Sequence, residues 1–373
     1  MKNDISKTRE TNIELLRIFA MMCIIGCHLA GHGVMHLLSS GEAYKLWFEG
    51  SGINKLTACM MMPGAQIGTA LFFMISGYFL INLRLKSVVR LWSSVVFYGI
   101  ISIIIMISVI IFGGEFTDLS LSGTLSYCLK MIVIPLTGGS YWYITTYFFL
   151  MMLSPLINKW IKDISKKQYI IVLILIYVFW YAIGTFMGSD FYNLQKAIFY
   201  YLFGFFINKY VDYSKINRVL RYKVILLVGA LCSWICGGII YYWSATFSIA
   251  GKSQMFIRIL DTFHASIVTP ICAVTIFILF CSIDLKYNKI INIMGGAILG
   301  VFLLHDSGVS RSVIWSTIFR IDEMYLRSGF IVASVLVIIA ILIIGVVIEV
   351  FRKRLFSRLE TNIVNRINII WED

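Results

Sequence analysis

Charged residues are scarce in this sequence of 373 residues. Lys, Arg, Asp and Glu together make up 14% of it, whereas hydrophobic residues make up 59%, and the mean hydropathy is +0.86. Soluble globular proteins carry about 25% charged residues. The composition therefore excludes an ordinary soluble domain and indicates a protein that crosses a lipid bilayer several times.

Several other features are missing. No small-residue cleavage pattern follows the first hydrophobic stretch, so we expect a retained membrane span and not a signal peptide. No internal repeat is visible in the sequence or in the span spacing, which disfavours the inverted-repeat transporter architectures. Nothing indicates a separate soluble domain. We predict a single membrane domain over residues 1–373 without a fused extracellular domain.

Acidic residues are fewer than basic ones, 19 against 32, which gives a formal net charge of +13. The basic residues concentrate in alternate loops, for example at 159–167 and 209–223, and cytoplasmic loops of membrane proteins carry such an excess. Motifs that read a nucleic-acid groove are absent, so we expect no nucleic-acid partner. A basic tail that starts with Arg352, Lys353 and Arg354 follows the last predicted span. This charge pattern predicts that both termini are cytoplasmic and that the outer face is near neutral.

The hydrophobic runs predict an all-α fold of about ten transmembrane helices. These cover about 12–34, 64–83, 88–112, 140–159, 169–188, 195–209, 222–243, 263–283, 290–306 and 328–351. Residues 36–63 form a predicted outer segment, and a second one contains Asp118. Within that second segment, LSYCLKMIVIPL is too short and too interrupted for a span, so we expect an interfacial or re-entrant piece.

Eight cysteines are present, most of them inside the predicted spans. Pairs such as Cys23 and Cys27 lie four residues apart and are interpreted as small apolar packing residues. Cys59 and Cys128 fall in segments predicted to lie outside, where a disulfide is the alternative.

The first hydrophobic stretch contains three ionisable residues, Glu14, Arg17 and His28. Such residues are costly inside a membrane helix and usually mark function. Eleven residues of helix leave Arg17 and His28 within about 20° of one face and about 16 Å apart along the axis. Glu14 lies one turn before Arg17 on that face. Since imidazole titrates near neutral pH, His28 is a candidate general base, with a hydrogen bond between helices as the alternative.

His28, His32 and His36 recur every four residues and could form a metal ladder on a regular helix. Gly31 and Gly33 interrupt the ladder, and no second ligand-rich segment accompanies it. We therefore expect no metal and interpret this region as a polar helix end.

Arg84, Lys86 and Arg90 follow the second predicted span, on the same side as Arg17. They have two interpretations. The cluster is either ordinary cytoplasmic positive charge, or a cradle for an anionic cytosolic ligand such as a nucleotide phosphate.

Four stretches carry a resemblance to a known family. They are RIFAMMCIIGCH, in which ten residues separate an arginine from a histidine, then FFMISGYFL with its basic cluster, YWYITTYFFLMMLSPLIN and AILGVFLLHDSG. Together they resemble membrane acyltransferase family 3, in particular the bacterial members that modify surface polysaccharide. The similarity covers nearly the whole chain.

This resemblance implies a multi-pass enzyme of the plasma membrane. It would move an acyl group, expected to be acetyl, from cytoplasmic acyl-CoA to a hydroxyl of a cell-surface or lipid-linked saccharide. Arg17 and His28 match the family's essential pair, and Glu14 stands where the family has an acidic residue. The family's Arg-x-x-Arg pattern is not intact, and Arg84, Lys86 and Arg90 offer those charges at other spacings as the expected CoA-binding residues. Without an extracellular domain, the membrane domain or a partner protein would complete the transfer.

Two roles stay open for each central residue. His28 would accept the proton of the attacking hydroxyl or help pass the acyl group outward, and Arg17, oriented by Glu14, would bind a CoA phosphate or polarise the thioester carbonyl.

Tyr143, His305 and Asp306 are expected to hold the acceptor, with an ordinary polar helix end as the alternative. The competing function is a transporter or flippase for a lipid-linked saccharide, in which the charged helix face would line a pathway. Consumption of acetyl-CoA with release of free thiol distinguishes an enzyme from a transporter.

Overall fold

A computed structural model describes residues 10–35, 49–111, 141–188, 192–249, 254–308 and 313–372, together with single positions and the short stretches 129–130 and 133–136 between these ranges. The regular secondary structure of these residues is helical, and no strand occurs among them. The all-α prediction is therefore confirmed. His36, Asp118, Cys128 and part of the LSYCLKMIVIPL stretch lie outside the described residues, so the expectations for them stay predictions.

The described helices are numbered here along the chain. In chain order they are α1 Thr11–Gly33, α2 Gly52–Met61, α3 Gly64–Tyr78, α4 Leu85–Ile111, α5 Trp142–Asp163, α6 Lys166–Met187, α7 Tyr192–Tyr210, α8 Tyr213–Arg218, α9 Leu220–Ile249, α10 254–281, α11 Lys289–His305, α12 Ile321–Leu326 and α13 Phe330–Glu372. Two of them contain a π-helical stretch, Ile176–Ala182 in α6 and His264–Val268 in α10, and a third stretch, Val313–Ile318, lies between α11 and α12.

Each of the ten predicted helices corresponds to a described helix. By length and apolar composition, 7 of the described helical stretches could cross a membrane: α1, α2 with α3, and the apolar parts of α4, α6, α9, α10 and α13. The apolar helix α11 is shorter, with 17 residues. A multi-pass membrane protein is thus supported, while the count of ten spans and the cytoplasmic position of the termini stay predictions.

The second candidate span begins earlier than the sequence indicated. Residues 52–61 were expected in an outer segment but form α2, whose start is capped by Ser51 Oγ accepting from the backbone N–H of Asn54. Pro63 separates α2 from α3, because proline lacks the N–H that a continuous helix needs. Together α2 and α3 form one apolar stretch of 27 residues.

Helix α1 lies at the centre of the bundle. In its most apolar window 67% of the residues are buried by protein, against 11% for α6. Close packing on α1 depends on missing side chains: a Cβ at Gly68 would lie 2.6 Å from the carbonyl oxygen of Ala20, and one at Gly64 would overlap that of Cys23. Small residues at such contacts let membrane helices approach closely. Neighbouring helices therefore pack closely against α1.

The last helix continues well beyond the predicted end near residue 351. Helix α13 has 43 residues and extends to Glu372. Arg352, expected in a basic tail, is buried and donates to both carboxylate oxygens of Glu349 at 2.8 and 2.9 Å and to Glu360 at 2.9 Å. Tyr98 on α4 donates to Glu349 as well. These pairs hold the extension of α13 against α4, because a buried charge needs partners.

Candidate active site

A cavity of about 240 Å³ runs along one face of α1. Arg17, Met21 and Ile24 line it from α1, at the spacing of three and four residues that places side chains on one helix face. His28 lies four residues beyond Ile24 on this face. At that end, Phe302 on α11 lines the cavity and its ring contacts the His305 ring. The cavity thus leads from Arg17 towards the histidines.

Arg17 occupies one end of this cavity, with Glu14 beside it. Glu14 is buried, and its Oε1 lies 3.9 Å from Arg17 Nε. Arg17 Nε is itself buried without a hydrogen-bond partner in the described structure. Helix α11 approaches closely here, since a Cβ at Gly295 would overlap the Glu14 side chain. The Arg17 guanidinium therefore lies at the cavity wall beside the Glu14 carboxylate. It still has an N–H donor that can bind a ligand.

Tyr143 lies at the same cavity, not with His305 and Asp306. Its ring packs 5.2 Å from that of Phe73 and 5.6 Å from that of Phe302, and it is stacked with Tyr147, which also lines the cavity. The three residues expected together at the acceptor are thus divided between two places. An aromatic wall next to Arg17 suits an apolar or thioester-bearing chain.

His28 and His305 form a directed chain of hydrogen bonds. His305 Nδ1 lies 2.6 Å from the carbonyl oxygen of Val301, which can only accept, so Nδ1 carries the proton. In the neutral ring Nε2 then accepts, and it lies 3.0 Å from His28 Nδ1, which must donate. Neutral His28 consequently has its lone pair on Nε2. The two helices orient His28 as a base.

Asp306 completes this cluster. It is buried, its Oδ1 lies 3.5 Å from His28 Nδ1, and Arg311 donates to the same oxygen at 2.8 Å. A carboxylate near an imidazole stabilises the protonated ring, as in catalytic triads. Sequence reasoning missed Arg311, although a membrane-embedded carboxylate needs such a partner. We refer to His28, His305, Asp306 and Arg311 as the histidine cluster.

The same region could hold a metal ion. Ligand atoms of His28, His32 and Asp306 lie within 4.8 Å of one another, which is a set of donor types that zinc accepts. The sequence showed no second ligand-rich segment beside the histidine ladder, and the end of α11 brings one ligand, Asp306, to it. The expectation that the protein holds no metal stays a prediction. Arg311 donates to the same Asp306 oxygen and would compete with a cation there.

The basic cluster Arg84, Lys86 and Arg90 is exposed at the turn from α3 to α4. Ile81 before this cluster and Leu91 after it line the cavity, so the cluster borders its Arg17 end. Arg90 Nε lies 3.8 Å from Glu360, and its side chain is 56% exposed. Exposed cations at a cavity entrance can attract an anionic ligand.

Lys353 adds a further charge that the sequence did not indicate. Its Nζ donates to the carbonyl oxygen of Gly296, and Gly296 lines the cavity. The side chain is 46% exposed and lies 3.7 Å from Glu349. In the sequence Lys353 was part of a basic run interpreted as a topology signal. Only the docking of α13 on α11 places it here.

The fold and the site define a multi-pass membrane protein with a polar intramembrane centre. A family model described as an acyltransferase domain matches residues 10–350, and the chain therefore belongs to membrane acyltransferase family 3, as the sequence resemblance predicted. Comparisons with curated proteins and with solved structures gave no match. The matched region contains every candidate site residue named above except Lys353. The protein is accordingly a membrane acyltransferase.

Proposed function

We propose that this acyltransferase moves an acetyl group from cytoplasmic acetyl-CoA to a hydroxyl of a cell-surface or lipid-linked saccharide, in the plasma membrane. This proposal rests on the cavity along α1, which begins at the cationic Arg17 and follows the helix face on which His28 lies one turn beyond Ile24. A donor and an acceptor that approach from opposite ends would meet inside the protein, shielded from water.

Arg17 suits the phosphates of the donor better than its carbonyl. Arg17 and His28 lie about 16 Å apart along α1, whereas a hydrogen bond needs about 3 Å. One thioester carbonyl therefore cannot contact both residues. A guanidinium binds phosphate oxygens well, and Arg84, Lys86, Arg90 and Lys353 add positive charge at the same end. The thioester would then extend along the aromatic wall towards His28.

His28 would act as the general base at the other end. The acceptor hydroxyl oxygen attacks the thioester carbonyl carbon, the carbon–sulfur bond breaks, and an ester forms. His28 Nε2 accepts the hydroxyl proton and passes it to the departing sulfur, so that free CoA thiol is released. Asp306 would stabilise the imidazolium, and His305 would hold the ring through its hydrogen bond at 3.0 Å.

A test is acetyl-CoA turnover by the purified protein in lipid nanodiscs. With the surface polysaccharide fraction of the expression host as acceptor, we expect free thiol and polysaccharide-bound acetyl ester to form in equal amounts. Vesicles test the alternative, since a flippase would move lipid-linked saccharide across them without consuming acetyl-CoA. Movement without thiol release would contradict the proposal.

A further inference from the structure

A second cavity, of about 610 Å³, lies at the end of the bundle that contains His32. Gln66 on α3, Thr185 on α6, and Arg258, Asp261 and Thr262 on α10 supply its polar lining. The course of α10 shows this position. The last residues of α10 lie beside the start of α1, where Asn12 donates to the carbonyl oxygen of Phe280, so the first residues of α10 lie at the opposite end of the bundle. We call the cavity along α1 the donor cavity. None of these five lining residues belongs to it or to the histidine cluster.

We propose that this second cavity binds the saccharide acceptor, an inference that rests on the proposed function above. A sugar ring presents adjacent hydroxyls, each of which donates and accepts. Asp261 accepts and Arg258 donates, whereas Gln66 and Thr262 can do both. Thr185 donates its hydroxyl proton to the Tyr181 carbonyl and can accept from a ligand. Such a mixed set without a net charge matches a neutral polyhydroxylated ligand better than it matches a phosphate or a lipid chain.

The two charged side chains are available to a ligand. Arg258 and Asp261 are exposed and lie on α10 three residues apart, yet they form no ion pair with each other or with another described residue. Asp261 accepts a hydrogen bond from Ser244 on α9 at 3.2 Å, which leaves its second oxygen for another donor. Because these two charges do not pair with each other, they add no ion-pair stabilisation to the fold, and both can contact a ligand.

The cavity walls are held in place by the π-helical stretches of α6 and α10. Tyr177 donates to the carbonyl oxygen of Ser266 and Tyr181 to that of Ala265, both at 2.6 Å. Ala265 lines the cavity, and Thr185 lies one turn beyond Tyr181. Single π-helical turns frequently occur at functional sites. Here they join the two helices that carry most of the polar lining.

The second cavity adjoins the donor cavity across one turn of α3. Gln66 lines the former and Thr69 the latter, and Thr69 Oγ1 donates to the carbonyl oxygen of Gln66 at 3.1 Å. The Gln66 side chain accepts from Thr269 at 3.3 Å and donates to Tyr241 at 3.5 Å. A saccharide bound against Gln66 would therefore lie beside the acyl donor.

Kinetics test the role in transfer. With the host's surface polysaccharide fraction as acceptor, Asp261→Asn and Arg258→Gln should each raise the acceptor KM about tenfold, as expected for a lost charge-assisted hydrogen bond. Acetyl-CoA affinity, measured by direct binding, should stay unchanged. The control Asp322→Asn replaces an acid on α12, outside this cavity, and should change neither value. An unaltered acceptor KM in both cavity variants would overturn the proposal.

A binding assay separates this proposal from the proposed function. Thr262→Cys places a thiol at the cavity, and Ser328→Cys places one in the exposed turn before α13. Oligosaccharides released from the polysaccharide by mild acid should slow labelling of Thr262→Cys by a water-soluble maleimide, relative to the wild-type background, without affecting Ser328→Cys. Ester formation without such protection would overturn the cavity assignment alone. Protection without acetyl-CoA turnover would support the cavity and contradict the acyl transfer.

Discussion

His28 Nδ1 lies 3.0 Å from His305 Nε2, although 277 residues separate the two in the chain. The Val301 carbonyl, which accepts from the other nitrogen of His305, determines the direction of both hydrogen bonds. His305 therefore holds the tautomer of His28 in which Nε2 can take a proton. This relationship gives His305 a positioning role in the proposed reaction, where the sequence indicated only a residue that holds the acceptor.

Replacing His28 tests the general base. His28→Ala should preserve expression and folding yet lower acyl transfer about 10² to 10⁴-fold, the usual contribution of proton transfer. His28→Gln keeps hydrogen-bonding groups but cannot take up a proton at neutral pH, so it should be equally inactive. The measurement is polysaccharide acetylation in membranes with matched amounts of protein. His32→Ala, one turn along α1, should lose much less activity.

The outcomes separate three roles of His28. Activity retained in His28→Gln would contradict the catalytic assignment and indicate a hydrogen bond that only supports packing. An equal loss of activity in His32→Ala would indicate the metal site formed with Asp306. In that case a chelator should also inactivate the wild type, and added zinc should restore its activity.

Replacing His305 tests the positioning role. His305→Leu removes the acceptor for the His28 N–H, and kcat should fall about tenfold to hundredfold, the usual cost of losing an orienting partner. His305→Gln should retain more activity, because its amide can donate to Val301 and accept from His28. Acetyl-CoA affinity should be the same in both variants. Equal losses of kcat and thermal stability in the two variants would indicate a purely structural histidine.

The basic cluster makes a prediction about donor affinity. Changing Arg84 and Arg90 together to Ala should weaken acetyl-CoA binding several-fold, because exposed charges at the cavity entrance attract the phosphates. The matched control is Lys166→Ala with Lys167→Ala, two exposed cations at the start of α6. Both double variants should be measured by direct binding at low and at physiological salt. Equal affinity in the two would return the cluster to the role of a topology signal.

A glycine contact makes a prediction about stability. Gly295→Ala would place a methyl group against the Glu14 side chain and 2.9 Å from its carbonyl oxygen, so the free energy of unfolding should fall by about 1 to 3 kcal/mol. At Gly31 the nearest atom to a new Cβ is Met62 Sδ at 3.9 Å, and Gly31→Ala should be tolerated. Thermal unfolding in detergent checks both. A stable Gly295→Ala variant would contradict the close approach of α11 to α1.

The topology prediction is tested by cysteine accessibility. Cysteines introduced at both termini and at Lys162 should be labelled from the cytoplasm only, and a cysteine introduced at Asp118 should be labelled from outside only. Labelling of Asp118 from the cytoplasm would contradict the predicted map. The same scan over α5, α7 and α11 would show whether these helices cross the membrane in addition to the 7 candidate spans.

Local periodicity in the sequence was sufficient for a large part of this structure. Long apolar runs gave helices at the predicted places, because backbone groups in a membrane must be hydrogen-bonded within the segment. The spacing of Arg17 and His28 predicted a shared face, since helix geometry is the same in any context. The same motif predicted the family, which the match over residues 10–350 confirmed.

Tertiary packing decided which residues meet. His305 reaches His28 only because α11 lies against α1, and no spacing in the sequence relates two residues so far apart. Packing also separated Tyr143 from Asp306 and turned Arg352 from a tail charge into a buried partner of Glu349. Most helices here are apolar on every side, so their sequences carry little information on which face contacts a neighbour. Close contacts at glycines and a few polar pairs decide that choice, and these become visible only in the folded bundle.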